Sequence, residues 1–238
     1  MKKIKVGVFG SGGRMGKEIL GLLEKHDRLE AFLGVDRQGR PSGFQKTVTD
    51  LEAPEAKEVD VWIDFSTISA FDEILHFVRT TKKPLVSGTT GLSDAQKSEL
   101  RKTANESPVL WASNMSLGVA VLNQALKLFA QLEGFDFQIE EIHHNRKKDN
   151  PSGTALTLQE TLVQAVGKKV PAPFGIRGGG VYGVHKVWAF SDEEQLMFEH
   201  QALNRSVFAR GALRAAEWLS SRGPGYYGMQ DVLLKEKP

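Results

Sequence analysis
The 238-residue chain contains no cysteine. That absence excludes disulfides, thiolate zinc sites, iron–sulfur clusters and a cysteine nucleophile together. Net charge is also scarce: 31 Lys and Arg stand against 29 Asp and Glu, a balance of +2. A general nucleic-acid binder carries a basic footprint that such a balance does not supply, so no nucleic-acid partner is expected. Long apolar runs are missing too, and no window approaches the ~18 apolar residues of a membrane span. The basic start, Met1-Lys2-Lys3, is not followed by the apolar segment of a signal peptide. Lys5 interrupts that run and Gly10-Ser11-Gly12-Gly13-Arg14 ends it. The expectation is a cytoplasmic protein with no membrane partner.

What is present in excess is glycine, 24 residues, or about 10% against a typical ~7%. A chain of this length buries enough surface for one large domain or two small ones. In its first half, short apolar runs at Ile4–Phe9, Glu30–Val35, Val59–Phe65, Pro84–Ser87 and Pro108–Ala112 read as strands. Helical patterns at Met15–Lys25, Ala70–Thr81 and Asp94–Glu106 separate them, the last with Ser93 as its N-cap. Strands alternating with helices predict parallel βαβ units, with ligands beyond the carboxyl ends of the strands. The polar, turn-rich stretch Asp36 to Lys57 reads as a surface connection. After Asn114 the pattern changes to a long helix at about Leu117–Leu132, a strand at Phe135–His144, a polar loop and a helix from Thr154. Two strands, Tyr182–Phe190 and Gln195–Gln201, and a last helix, Ser206–Leu219, complete it. The predicted class is α/β: an N-terminal Rossmann-type parallel-sheet domain, residues 1–114 rejoined by 207–238, and a central α+β domain, residues 115–206.

The first glycine cluster, Gly10-Ser11-Gly12-Gly13-Arg14-Met15-Gly16, follows the first strand and opens the first helix. Glycines there allow a tight turn and let backbone N–H groups approach a pyrophosphate at the helix N-terminus. The spacing is G-x-x-G-x-x-G, not the usual G-x-G-x-x-G, so context must carry the inference. Asp36 ends the second strand, where an acid would bind the adenosine ribose. Arg37 beside it is placed to pair with a 2′-phosphate. An acid that repels that phosphate and an arginine that attracts it together predict use of both NADH and NADPH. Gly88-Thr89-Thr90, Ser113-Asn114-Met115-Ser116 and Phe65-Ser66-Thr67 also lie at carboxyl ends of strands. Each alone fits an ordinary capped turn; three in one sheet favour a ligand edge.

The second informative segment is Glu141-Ile142-His143-His144-Asn145-Arg146-Lys147-Lys148-Asp149-Asn150-Pro151-Ser152-Gly153-Thr154. A cationic loop next to a helix N-terminus forms an anion site that would clamp a small substrate carrying one or two carboxylates. His143 and Lys147 are candidate proton donors, since imidazole titrates near neutrality and burial shifts lysine. Adjacent histidines on a strand point to opposite faces, so at most one of His143 and His144 faces a given pocket. No carboxylate–histidine spacing supports a metal among His143, His144, His185 and His200, and none is expected.

The run Glu141-Ile142-His143-His144-x-x-Lys147-x-Asp149-x-Pro151-Ser152-Gly153-Thr154-Ala155 resembles the signature of the 4-hydroxy-tetrahydrodipicolinate reductase (dihydrodipicolinate reductase) family. The resemblance extends from Val6 to Leu233 through Arg14-Met15-Gly16, Ile63-Asp64-Phe65-Ser66, Gly88-Thr89-Thr90-Gly91, Asn114-Met115-Ser116 and His200-x-Ala202-x-x-Arg205. Met115 replaces a common Phe and Asn150 a common Ala. The resemblance implies catalysis by His143 and Lys147, and substrate binding by His144, Ser152, Gly153 and Thr154. It implies NADH or NADPH held by Gly10, Ser11, Gly12, Gly13, Arg14, Met15, Asp36, Arg37, Gly88, Thr89, Thr90, Ser113, Asn114, Met115 and Ser116. It also implies a homotetramer acting in diaminopimelate and lysine biosynthesis. Two other classes fit the residues less well: a nicotinamide oxidoreductase of another amino or oxo diacid, resembling aspartate dehydrogenase, and a non-catalytic dinucleotide-binding regulator.

Overall fold
The computed structural model describes residues 2–40 and 43–233. Met1 of the basic start, residues 41–42 of the polar stretch and residues 234–238 of the expected first domain lie outside that description. The strands are β1 (Ile4–Phe9), β2 (Leu29–Val35), β3 (Lys46–Val48), β4 (Val61–Asp64), β5 (Leu85–Ser87), β6 (Pro108–Trp111), β7 (Asp136–His143), β8 (Phe174–Arg177), β9 (Val184–Phe190), β10 (Gln195–Gln201) and β11 (Gly225–Tyr227). The helices are α1 (Arg14–Leu23), α2 (Ile68–Thr81), α3 (Asp94–Ala104), α4 (Leu117–Ala125), α5 (Gly153–Val166), α6 (Ser206–Leu219) and α7 (Met229–Leu233). Two units divide the chain: Met1–Met115 with Phe208–Pro238, and Ser116–Val207.

In the first unit the strands form one sheet in the order β11-β6-β5-β4-β1-β2-β3, every adjacent pair parallel. Strands covered on both faces need continuous apolar side chains. β4 accordingly is buried at all four positions, Val61, Trp62, Ile63 and Asp64. Phe71, Ile74 and Val78 of α2 and Leu100 of α3 complete the core around Trp62, Leu85 and Val109. α3 begins with a reciprocal capping box between Ser93 and Gln96, which satisfies two orphan amide donors of its first turn. Strand order reverses beside β1, so α1 and the glycine loop lie at the switch point where doubly wound sheets bind ligands.

The stretch from Asp36 to Lys57 is more than a surface connection. It contains β3 and a 3₁₀ turn at Pro54–Glu58, and it buries Phe44, Leu51 and Ala56. β3 pairs with the free edge of β2, which gives three otherwise unremarkable residues their extended conformation.

The second unit carries a four-stranded mixed sheet in the order β10-β9-β7-β8. The expected helix at Leu117–Leu132 ends as an α-helix at Ala125 and tightens into 3₁₀ turns over Leu126–Gln131. The apolar spacing persists across that change, with Leu122, Leu126 and Phe129 all buried. The β-strand pleat places Phe137, Ile139, Glu141 and His143 of β7 on one buried face. Across from the first three stand Ala189, Val187 and His185 of β9. The face begins apolar, covered by Ala155, Leu158 and Leu162 of α5, and becomes polar at Glu141. The site grows from that transition.

Candidate functional site
In the first unit, Gly10 adopts φ +87°, and a Cβ there would lie 3.0 Å from the Phe65 carbonyl oxygen. Both facts require glycine. The Gly12 N–H donates to Asp36 Oδ2 at 3.0 Å, and a Cβ on Gly12 would lie 2.1 Å from that oxygen. At Gly16 a Cβ would stand 2.2 Å from the Ser11 carbonyl oxygen, so the absence of a side chain lets α1 close on its own loop. Gly13 is the N-cap of α1 and offers no side-chain acceptor, so the orphan amide donors of the first turn, which includes Arg14 and Met15, have no cap. A loop reduced to backbone beside a buried acid, with an uncapped helix N-terminus, fits the ribose and pyrophosphate of a dinucleotide.

The acid's partner is not the one its neighbour suggests. Arg40 donates to Asp36 from Nε at 3.0 Å and Nη2 at 2.7 Å, while Arg37 forms its ion pair with Glu73. The Arg40 hydrogen bonds are the main reason that the Asp36 carboxyl lies below the ordinary range.

Beneath the carboxyl ends of β4 and β5, Asp64 is fully buried. Its Oδ2 accepts from Ser87 Oγ at 2.7 Å and Thr89 Oγ1 at 2.8 Å, and its Oδ1 accepts from the Ser66 N–H at 2.9 Å. One carboxylate therefore fixes both loops. A Cβ on Gly88 would strike the Phe65 ring at 2.3 Å, which keeps the Gly88-Thr89-Thr90 backbone close against it. Trp111 Nε1 donates to the Thr89 carbonyl at 3.0 Å. Ser113, Asn114 and Met115 follow β6 in this unit. Ser116 belongs to the second, where its hydroxyl caps α4 and lies 3.0 Å from His200 Nε2.

In the second unit, His143 is buried at the end of β7, and its Nδ1 lies 2.5 Å from Glu141 Oε2. Glu141 is completely buried. Its Oε1 accepts from Arg177 Nη2 at 2.7 Å and from the Ser152 N–H at 3.0 Å. Burial alone would raise the Glu141 pKa, but the His143 contact and hydrogen bonds from Arg177 and Ser152 outweigh it and hold the group at about 2. His185 lies beside them, its ring 5.1 Å from that of His143 and tilted by 74°. Burial and the His143 charge push His185 down to about 3.

Lys147 Nζ pairs with Asp149 Oδ1 at 2.9 Å, and the same carboxylate accepts from the Gly153 backbone. Ser152 is the N-cap of α5: its hydroxyl accepts from the Ala155 N–H at 3.2 Å and lies 3.4 Å from His185 Nε2. The Ser152 side chain is thus a structural cap, and the face offered to an anion is the first turn of α5. His144 stands just past the strand. Burial lowers its pKa, and the positive charges of Arg146, Arg205, His143 and Lys147 lower it further. Basic side chains therefore gather around His144.

Glu141, His143 and His185 each present a ligand-type atom within 4.8 Å of the others. Two of these, His143 and His185, are among the four histidines considered above; the carboxylate is brought to them by strand pairing. Glu141 and His143 approach to 2.5 Å, whereas two tetrahedral ligands each about 2.1 Å from zinc stand about 3.4 Å apart. Arg177 already balances the carboxylate, so the cluster is an ion-pair network. Arg177 and Arg40 are site residues that no sequence signal marks. Glu141, Asp64 and Arg205 stand inside the motifs quoted above without an assigned role, and His185 is considered there only as a metal ligand.

Comparison with known proteins gives a consistent result. The family description "Dihydrodipicolinate reductase, N-terminus" matches residues 4–115, and "Dihydrodipicolinate reductase, C-terminus" matches residues 118–233. A 4-hydroxy-tetrahydrodipicolinate reductase of Bdellovibrio bacteriovorus is 55% identical over 234 residues, covering 98% of each chain. Another, of Campylobacter curvus, is 39% identical and covers 97% of this chain and 99% of its own. Among solved structures, dipicolinate-bound dihydrodipicolinate reductase from Paenisporosarcina sp. TG-14 superposes with a TM-score of 0.80 at 20% identity, covering 96% of this chain and 99% of that one. Aspartate dehydrogenase from Thermotoga maritima shares the fold at a TM-score of 0.53 and 16% identity, covering 92% and 97%.

Proposed function
Because the chain belongs to the dihydrodipicolinate reductase family, we infer that it reduces 4-hydroxy-tetrahydrodipicolinate to tetrahydrodipicolinate with NADH or NADPH. Substrate, reduced nicotinamide and one proton give product, oxidised nicotinamide and water, on the route to diaminopimelate and lysine. The cofactor supplies a hydride from nicotinamide C4. The observation that carries this reading is the segment 141–154, where a buried His143, a cationic loop and the N-terminus of α5 converge. A fixed dicarboxylate beside a proton donor is catalysis by orientation.

In this assignment Gly10–Met15 and Asp36 hold the dinucleotide, Gly88–Thr90 and Ser113–Ser116 border the nicotinamide, and Arg37 or Arg40 meets a 2′-phosphate. His144, Gly153 and Thr154 face the substrate carboxylates, with Ser152 keeping their helix in place. Lys147, with His143 beside it, supplies the proton as hydride arrives. The test is a coupled assay. The upstream synthase makes the substrate from pyruvate and aspartate semialdehyde, and oxidation of NADH and of NADPH is followed separately. Turnover supports the reading; dinucleotide binding without turnover overturns it.

The working form is proposed to be a cytoplasmic homotetramer. Among the described residues no helix is long and apolar enough to cross a membrane. The sheet face of the second unit opposite α5 is unusually apolar for a surface, with Phe174 62% exposed, Ile176 and Met197 also exposed, and Trp188 stacked on Phe190 at 5.7 Å. Apolar patches of this kind mark association surfaces, and a second copy of the same face is the proposed occupant. Light scattering of the purified chain, with Phe174→Glu as the variant that should dissociate it, tests the assembly.

A further inference from the structure
We propose that Glu141 is a positioning residue that holds the acid–base histidine and the anion-binding helix in one fixed relation, through its two carboxylate oxygens. Oε2 stands 2.5 Å from His143 Nδ1 as an ion-pair contact, and Oε1 accepts hydrogen bonds from the Ser152 N–H at 3.0 Å and from Arg177 Nη2 at 2.7 Å. His143 lies on the same strand and face as Glu141; Ser152 is the cap of α5, reached only through the loop between them. The acid–base histidine and the anion seat therefore share one fully buried support.

Three further features make the carboxylate a hinge point and not a passive ion pair. Arg177 donates from the same Nη2 to the Asp149 carbonyl at 2.6 Å, tying the loop to Glu141 a second time. Gly175 stands opposite Glu141 on β8. A Cβ there would lie 1.9 Å from Asn150 Oδ1 and 3.0 Å from Glu141 Oε1, so glycine makes room for the loop to pack on the carboxylate. Gly183 does the same on the far side of the imidazole, where a Cβ would lie 3.0 Å from His143 Nε2. The Glu141 carboxylate faces Nδ1 and leaves Nε2 on the far side of the ring, so a proton held on Nδ1 is the tautomer this contact favours.

This inference rests on the role of His143 proposed above, and its test separates the two. Glu141→Gln keeps shape and one acceptor but removes the charge. It should lower kcat about tenfold or more, while NADH affinity stays within twofold. Combined with His143→Gln, it should add less than a twofold further loss, because Glu141 then has no histidine to orient. Glu141→Gln with kcat within twofold of the parent overturns the proposal even where His143→Gln is inactive, as do losses that multiply in the double variant. His143→Gln with full turnover overturns the histidine's role itself and the proposal with it. Should Glu141→Gln fail to fold, ¹⁵N-histidine NMR of the unaltered protein decides, with His143 assigned by its loss in His143→Gln. A neutral His143 protonated on Nδ1 supports the proposal, and one with Nδ1 bare overturns it.

Discussion

Asp36 engages Arg40, four residues further along, with hydrogen bonds of 3.0 and 2.7 Å, while the adjacent Arg37 turns to Glu73. The arginine in contact with the acid proposed to bind the ribose is therefore Arg40. Arg40→Ala should weaken NADPH about tenfold, or about 1.4 kcal/mol, and NADH much less. Arg37→Ala should change both cofactors by less than about threefold. Dissociation constants from nucleotide fluorescence check this, and a selective NADPH loss in the Arg37 variant would return the 2′-phosphate to Arg37.

Asp64 collects three donors from two loops without any contact with solvent. Truncating it leaves the Ser87 and Thr89 hydroxyls and the Ser66 amide to find new partners in a buried place. Each unsatisfied buried group costs about 1–3 kcal/mol, so Asp64→Ala should lower unfolding stability by at least about 3 kcal/mol and weaken cofactor binding. Ser66→Ala, which keeps the amide, should be nearly neutral. Urea unfolding curves of the two variants provide the comparison.

Much of the first unit is legible in the sequence because its strands are continuous apolar runs, as Ile4–Phe9 and Pro108–Trp111 illustrate. β3, β8 and β11 are not. They are three or four residues long, too short for a pattern to show, and become strands because a neighbouring edge accepts them. That omission also hid Arg177, the last residue of β8. The basic loop and the helix after it were readable from residue chemistry; the carboxylate beneath them required knowing which strands pair. Arg40 was hidden for a different reason. Its contact with Asp36 depends on how a turn-rich segment folds back, and residue spacing does not specify that.

Acid should destabilise the fold earlier than carboxylate protonation alone would suggest. His185 is held at about 3, below its ordinary 6.5, so between those values the unfolded chain binds a proton that the folded chain refuses. Stability then falls as pH drops from 6.5 towards 3. Glu141, held at about 2 against 4.5, adds to the same trend at lower pH, because its stabilising contribution is complete above 4.5 and fades towards 2. Melting temperatures measured from pH 7 to pH 4 should decline, and His185→Gln should flatten the decline. Parallel curves for the two proteins would remove His185 from the explanation.

Lys147 is held by Asp149 at 2.9 Å and follows His143 by four residues across the turn. Asp149 binds both that ammonium and the Gly153 backbone at the start of α5. A substrate carboxylate arriving there meets the same two donors. Loss of the ammonium should therefore remove a proton donor and a charge together. Lys147→Ala is expected to lower kcat/KM about 10²-fold or more, the scale of general-acid catalysis, with NADH binding unchanged because the glycine loop and Asp36 lie in the other unit. Lys147→Arg keeps the charge but not a transferable proton, so it should restore KM without restoring kcat. Recovery of kcat in the arginine variant would reduce Lys147 to an electrostatic role and leave proton donation to His143.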